Sequence, residues 1–381
     1  MDGLFQLAGL DRGALKFKPH IPHLAEPIST AKGLFESIVK GDVLVHHPFD
    51  SFRSVESFVA SAAADPLVIG IKQTLYRVGT HSPIVESLLA AAEAGKQVAA
   101  MVELKARFDE DNNMAWAKVL ERAGVHVTYG FADLKTHCKL CLVVRREGGR
   151  LKSYAHLGTG NYNPATARLY TDLGLFTDDE AITQDVAELF NYLTGFSMQR
   201  NYRKLLVAPI NLRESVLERI RRESKHKSGR IVLKMNSLVD PEMIDALYEA
   251  ADSGVKVDLI IRGICCLKPR KNIRVVSIIG RFLEHSRILY FENGGKQEVF
   301  IGSADLMRRN LDRRVEVLVP IQSPPLVKHI VEAILETYLA DSSNAWELTA
   351  DGGYVRSVPT KKQVDSQAWF SSHPDSKLLL N

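Results

Sequence analysis

The sequence predicts an α/β protein built from two tandem copies of one domain, each with a mixed, largely parallel sheet and flanking helices. Three observations predict it. An apolar strand, an amphipathic helix and a second apolar strand occur in that order twice, about 160 residues apart. The motifs that follow them come in the same sequence in both places. Each copy then closes with an apolar strand and a helix.

Taken in chain order, residues 1–30 become Pro-rich toward their end, KPHIPHLAEP, and read as a linker. AKGLFESIVKG reads as a helix and DVLVHHPFDSF as a strand running into a turn. VIGIKQTLYRVGTHSPIVESLLAAAEAGKQVAAMVELKARF is the first strand–helix–strand unit, and RIVLKMNSLVDPEMIDALYEAADSGVKVDLIIRGICCL is its repeat. Pro83 and Pro241 suit the first helical turn; Gly95 and Gly254 suit the position just past the helix end. Lys72 matches Lys234. Two apolar strands joined by a helix make a βαβ unit with a parallel strand pair. Next, LKTHCKLCLVV pairs with FLEHSRILYFE, and LKSYAHLGTGNYN with QEVFIGSADLMRRN. DLGLFT and RRVEVLVP close the copies, with helices around 181–194 and 324–340. The domains are therefore placed at 31–204 and 205–347, and the polar tail at 348–381 is expected to be loosely held.

The chain has 381 residues, 45% hydrophobic and 25% charged, with a net charge of +4. These are globular values, and the mild charge bias does not require a nucleic-acid partner. Arg145-Arg146, Arg219 to Arg222, Arg308-Arg309 and Arg313-Arg314 are local clusters that could face a polyanion, although ERIRRESKHK reads better as a solvated helix face. No apolar run reaches the roughly 20 residues of a membrane span. The start, MDGLFQLAGLDRG, lacks the basic and apolar regions of a secretory signal, so a soluble cytoplasmic chain is expected. Cys138, Cys141, Cys265 and Cys266 lie in strand-like segments, where their spacings put neighbours on opposite faces; buried reduced thiols are expected.

The chemistry concentrates at two matching places. THCKLCLVV reads as a strand, so His137 and Lys139 share a face. His285 and Arg287 repeat the pair. Each pair is followed by a small-residue turn, Gly158-Thr159-Gly160-Asn161 and Gly302-Ser303-Ala304-Asp305, which lets backbone approach a phosphoryl group. A neutral imidazole can attack phosphorus while adjacent cations offset the charge on the equatorial oxygens. Two half-sites meeting at a shared face would supply a nucleophile and a proton donor or acceptor. Arg77 ends a strand at the carboxyl edge, where α/β sheets bind ligands. His156 reads as structural. His46-His47 lack suitably spaced carboxylates for a metal site.

This two-copy layout resembles the phospholipase D superfamily, so phospholipase D-like α/β domains are the fold it implies. Within that superfamily the chain is more closely similar to the polyphosphate kinase family. HHPFDSF, IKQTLYR, VELKARFDE, KTHCKL, HLGTGNYNP, ARLYTDLGL, YRKLLVAP, RGICCL, GRFLEHSRI, FENGG, GSADLMRRNLDRRVEV and AWEL carry that likeness over nearly the whole chain. The resemblance implies reversible transfer of the ATP γ-phosphate to inorganic polyphosphate through a phosphohistidine. It implies that His137 is the nucleophile, with Lys139 beside it. It implies that His285 is the second active-site histidine, acting on ATP. Tyr170 and Arg262 would contact the nucleotide. Arg77 and Arg107 would lie at the Mg²⁺–phosphate site as phosphate clamps, since a guanidinium has no lone pair for a cation. Asp133 or Glu103 could orient an imidazole or lysine. The implied ligands are ATP or ADP, polyphosphate and Mg²⁺. A homo-oligomer is implied for the full-length parent, and peripheral membrane association stays open.

The family carries a helical N-terminal domain and a head domain before this region, so 1–30 would be a remnant of the head and the chain its catalytic half. Where the family has a longer Pro/Gly loop near the nucleotide, this sequence has only KPRK between RGICCL and NIRV. Two other readings stand beside the kinase: a phospholipase D-type phosphodiesterase, and an inactive fragment that binds polyanions. Against the diesterase, Arg287 and Asp305 replace the usual Lys and Asn of its second motif.

Overall fold

The computed structural model describes residues 9–24, 33–79, 81–104, 110–131, 133–195, 201–226, 228–358 and 363–373. In the first half these form α1 (Leu34–Lys40), β1 (Val43–His47), α2 (Arg53–Ala64), β2 (Val68–Leu75), α3 (Pro83–Glu93), β3 (Gln97–Val102), α4 (Glu110–Arg122) and β4 (His126–Tyr129). There follow β5 (Lys135–Thr136), β6 (Lys139–Glu147), β7 (Arg150–Gly158), β8 (Tyr170–Thr177) and α5 (Glu180–Leu193). The second half opens with β9 (Leu206–Ala208) and α6 (Leu212–Glu223), then β10 (Arg230–Met235), α7 (Pro241–Asp252), β11 (Lys256–Ile261) and β12 (Ile273–Ile278). It continues with β13 (Leu283–Glu284), β14 (Arg287–Phe291), β15 (Glu298–Gly302), α8 (Arg308–Asp312) and β16 (Arg314–Pro320). Helix α9 (Pro324–His329) runs through a π-helical segment, Ile330–Leu335, into α10 (Glu336–Leu339). β17 (Ala345–Leu348), β18 (Tyr354–Arg356) and α11 (Ser366–Ser372) complete the fold.

The repeat is visible in the topology. The first sheet runs β1-β8-β7-β6-β2-β3-β4 and the second β18-β17-β12-β11-β10-β14-β15-β16. Read from β8 and from β16, the next five strands correspond one to one. Local sequence explains the matching helices. Ser82 accepts from Val85 N at 3.3 Å ahead of Pro83, and Asp240 accepts from Met243 N at 3.2 Å ahead of Pro241. Both helices stop at a glycine in the left-handed region, Gly95 at φ +79° and Gly254 at φ +99°. The returning strands pair in parallel, β2 with β3 and β10 with β11.

Each domain also lends the other a short strand. β5 pairs in parallel with β16, placing Thr136 opposite Val315. β13 pairs in parallel with β8, placing Glu284 opposite Thr171. Between the sheets lies a shared core to which both halves contribute, with Leu140, Leu157 and Leu173 from one side and Ile288, Ile301 and Val317 from the other. The outer faces have their own cores, under α2–α4 and under α6–α7. The two lent strands and the shared core bring the ends of β5 and β13 to one face.

Four expectations change. The sheets are mixed, but parallel pairing is smaller than predicted: it covers β2-β3-β4, β10-β11-β12 and the two lent strands. The remaining neighbours are antiparallel, among them the tight hairpin of β6 and β7 through Gly148-Gly149 and pairs distant in sequence such as β1 with β8 and β2 with β6. THCKLCLVV is not one strand: it breaks at His137-Cys138, whose two N–H groups both donate to Val315 O, at 2.9 and 3.0 Å. Cys138 and Cys141 are buried, but Cys265 and Cys266 follow β11 in a loop and Cys266 is exposed. One segment of the tail packs instead of being loosely held: in α11 Phe370 lies between Phe49 and Tyr338 in the shared core, while 351–356 are exposed. Burying such a ring is worth roughly 2–3 kcal/mol.

Candidate active site

His137 sits in the break between β5 and β6, at the seam where β5 joins the second domain. It is buried, and its Nδ1 lies 2.8 Å from Oε2 of Glu316 on β16. His285, just before β14, has its Nδ1 at 2.8 and 3.0 Å from the two oxygens of Asp172 on β8. Each histidine is thus held by a carboxylate of the opposite domain. An ionised carboxylate only accepts, so the proton of each neutral imidazole sits on Nδ1 and the lone pair on Nε2.

The electrostatics agree. Burial holds the pKa of His137 well below the ordinary histidine value, and Lys139, Arg314, Arg287 and His285 push it the same way. His285 is the last of these contributors to His137. Burial also lowers His285, although Asp172 opposes it. Asp172 itself stays below the usual carboxylate range: burial raises it, but His285, Thr159 and Arg287 together outweigh that. Burial raises Glu316, against Lys139, Ser303 and Arg314.

The cations repeat with one difference. Lys139 Nζ donates to His137 O, and Arg287 Nη1 donates to His285 O at 2.7 Å. Arg287 Nη1 also lies 3.2 and 3.3 Å from the two ring nitrogens of His285, so it sits over the ring rather than in its plane. Asp305 closes on Arg287 at 3.3 and 3.4 Å. The residue that matches Asp305 in the first repeat is Asn161, which is neutral, and its buried Oδ1 has no hydrogen-bond partner. Thr159 donates to Asp172 at 2.5 Å and Ser303 accepts from Val317 N at 3.1 Å, so the small-residue turns hold the strands that carry the carboxylates. A Cβ on Gly160 would strike the Asp172 carboxylate.

The remaining expected residues fall around this centre. The Tyr170 ring is 5.2 Å from that of His285. Arg262 Nε bonds Asn236 Oδ1 at 3.2 Å; burial lowers its pKa and Arg287 adds to that. Arg77 has a left-handed backbone, φ 53°, and a buried Nε without a partner. Arg107 lies outside the described residues. Asp133 is exposed, and Glu103 Oε2 accepts from Thr136 N at 2.7 Å. His156 is structural: buried, with Nδ1 2.9 Å from the Tyr162 hydroxyl. Lys72 and Lys234 differ, the first bonding Asn191 at 3.1 Å and the second a buried partner of Glu284 at 2.9 Å.

Sequence reasoning missed Asp172, Glu316, Arg314 and Tyr76. The Tyr76 ring meets His137 edge-on at 5.2 Å and lies under Lys135 and Lys139, each 5.2 Å from its centroid. Position in the repeat was the usable signal for the carboxylates, since Asp172 and Glu316 are the acidic residues of two matched apolar strands.

Among the described residues no group of three His, Cys, Asp or Glu side chains converges as a metal cage. Asp172, Glu316, Asp305 and Glu284 are already engaged by histidine, arginine or lysine. Among the described residues this donor set fits Mg²⁺ as an ion carried on phosphate oxygens. No helix among the described residues is long and apolar enough to cross a membrane.

Comparison with known proteins gives the family. The family described as polyphosphate kinase C-terminal domain 1 matches residues 33–199, and polyphosphate kinase C-terminal domain 2 matches 205–367. Polyphosphate kinase 1 of Chlorobaculum tepidum is 53% identical over 99% of this chain and 55% of its own length. Polyphosphate kinase of Synechocystis is 56% identical over 89% of this chain and 48% of its own. The chain thus spans about half the length of these relatives. The crystal structure of polyphosphate kinase from Porphyromonas gingivalis superposes with a TM-score of 0.90 at 38% identity, covering 98% of this chain and 59% of that one. Phosphatidylserine synthase of Haemophilus influenzae shares the fold, with a TM-score of 0.56 at 9% identity over 78% of this chain and 86% of its own. These matches over nearly the whole chain show that it belongs to the polyphosphate kinase family, of which it carries C-terminal domains 1 and 2.

Proposed function

We propose that this chain carries out reversible transfer of the γ-phosphoryl group of ATP to the end of inorganic polyphosphate, through a phosphohistidine at His137. The observation that carries this reading is the reciprocal pairing His137–Glu316 and His285–Asp172. It leaves two neutral imidazoles with Nδ1 fixed and Nε2 available, beside Lys139, Arg287 and Arg314.

In the forward step the Nε2 lone pair of His137 attacks the γ-phosphorus. The bond from that phosphorus to the β–γ bridging oxygen breaks, and ADP leaves with the electron pair. A terminal oxygen of polyphosphate then attacks the same phosphorus, and the P–N bond breaks to restore the imidazole. Glu316 supports the positive charge that the ring takes on. Lys139 and Arg287 face the equatorial oxygens, where charge builds during transfer. Tyr170 and Arg262 take the nucleotide, with His285 as its positioning or proton-handling group. Arg77 takes a phosphate on its unpaired Nε. Bound Mg²⁺ would offset charge on the phosphate oxygens.

The test is incubation with γ-labelled ATP and Mg²⁺. Label on protein that is acid-labile and base-stable, and absent from His137→Ala, supports the reading. Label retained by His137→Ala counts against it.

A further inference from the structure

We propose that Gln367 of α11 is a positioning residue for His285, because it clamps the lent strand β13 in register on β8. The inference rests on the reading of His285 as an active-site group.

The strand that sets His285 is two residues long. Its hold on β8 comes from Leu283 opposite Tyr170 and Glu284 opposite Thr171. A pair that short does not fix its own register. Yet the register decides the site, since Asp172 follows Thr171 and His285 follows Glu284. A slip of one residue would carry the imidazole off its carboxylate.

Gln367 supplies what the strand lacks. Its side-chain amide pairs with the Phe282 backbone as a neighbouring strand would: Oε1 accepts from Phe282 N at 2.8 Å and Nε2 donates to Phe282 O at 2.9 Å. The same Nε2 donates to Glu284 Oε1 at 2.6 Å. The other oxygen of Glu284 accepts from Thr171 Oγ1 at 2.8 Å and meets Lys234 Nζ at 2.9 Å. Thr171 Oγ1 in turn accepts from His285 N at 3.3 Å. Gln367, Glu284, Thr171 and His285 thus form one buried chain of hydrogen bonds across both domains.

The clamp is anchored. Phe370 sits in the shared core, and Asp341 Oδ2 accepts from Ser366 N at 2.8 Å and Ser366 Oγ at 2.6 Å. Gly280 makes room for the amide: a Cβ there would stand 2.5 Å from Gln367 Oε1 and 2.8 Å from its Cδ.

The test uses the full chain. Gln367→Met keeps the volume and loses all three hydrogen bonds. Gly280→Ala displaces the amide from the other side without changing Gln367. The readouts are polyphosphate synthesis and the NMR signal of the His285 Nδ1 proton on Asp172. Both variants should lower kcat about ten- to a hundred-fold, leave KM for polyphosphate within about two-fold, and shift or broaden that proton signal. Ser372→Ala, on the same helix, should change none of these. If Gln367→Met does not fold, Gly280→Ala decides. An unchanged His285 proton with unchanged kcat in a folded variant overturns the proposal. If the wild-type chain takes no label from ATP, the phosphotransfer reading fails, while the proton signal still decides whether Gln367 sets His285.

Discussion

Glu316 of the second domain holds Nδ1 of His137 of the first at 2.8 Å, and the pair is separated by 179 residues of chain. Neither domain alone therefore supplies both members of this pair. The same holds in reverse for His285 and Asp172, 113 residues apart. The two halves complete each other.

The first prediction follows from that exchange. Glu316→Gln can turn either an N–H or a carbonyl toward His137, so Nδ1 is no longer reliably protonated. Labelling of His137 should slow by about 10²-fold or more, the usual worth of a general-base arrangement. Asp172→Asn should slow polymer formation while leaving single-turnover label on His137. Rapid-quench labelling of both variants checks this, and equal labelling defects in the two would argue against separate roles.

A second prediction concerns Lys139. Burial brings its pKa down to about 7 from its ordinary 10.5, with Glu316 opposing and Arg287 reinforcing. Between those values the unfolded chain binds a proton that the folded chain has released. This group therefore makes folding stability rise with pH from about 7 to 10.5, and its burial is most costly below 7. Activity should run the other way, since transfer needs the charged ammonium. The alkaline limb of kcat/KM should fall near pH 7 and vanish in Lys139→Arg, whose guanidinium stays charged. Bound phosphate restores the charge, so the limb in kcat should lie higher. An alkaline limb unmoved in Lys139→Arg would assign it to another group.

Much of this was legible in the sequence, and the division has a physical cause. Pro83, Gly95, Pro241 and Gly254 act on their own turn of chain, so the βαβ units could be read locally. His137 and His285 could be matched because the repeat places them. The partners of those histidines could not be read that way, because they come from the opposite domain and no local period records them. The break at His137 was hidden for the same reason: Val315 O, in the other domain, draws two N–H groups out of the strand pattern. The packing of α11 was not legible because the tail's composition is polar, while Phe370 and Gln367 find their partners far upstream.

The third prediction uses backbone strain. Arg77 holds φ at 53°, a region that costs a side chain about 1 kcal/mol relative to glycine. Arg77→Gly should then stabilise the fold by roughly that amount in denaturant titration while weakening nucleotide binding. Arg77→Lys should keep the strain and still lose affinity, because an ammonium cannot replace the bidentate fork. Unchanged ATP affinity in both variants would remove Arg77 from the phosphate site.

A fourth prediction tests the turn at the end of β15. A Cβ on Gly302 would collide with Val317 O and stand 2.9 Å from Leu318 Cα, both backbone atoms that cannot swing away. Gly302→Ala should cost about 3 kcal/mol or more, at the upper end for overpacking, and should disturb Glu316 through its neighbour Val317. Gly353→Ala, whose nearest neighbours are the side chains of Thr349 and Asp351, should cost less. Thermal unfolding of the two variants checks the order.

The last prediction asks why His137 rather than His285 should take the phosphoryl group. The half-sites match in imidazole, carboxylate and cation. They differ at the final residue of the small turn, Asn161 in the first and Asp305 in the second. Asp305 neutralises Arg287 at 3.3 Å, so the second half presents less positive charge to phosphate. Asn161 adds no charge of its own to the first half, where Glu316 and Asp172 are the carboxylates acting on Lys139, and its unpartnered Oδ1 lies on the small turn. Transfer should end where positive charge is least compensated, because the equatorial oxygens of the moving group stay negative throughout. Asn161→Asp should therefore slow labelling of His137 by about ten-fold or more while changing the volume of the side chain little. Asp305→Asn frees Arg287 and should leave labelling of His137 in place, with added label on His285 the informative result. His137→Ala must lose its label and keep its fold, since the residue sits in a strand break at the site rather than in either outer core. If label instead persists in His137→Ala and disappears in His285→Ala, charge compensation does not choose the nucleophile, and the roles of the two halves are reversed.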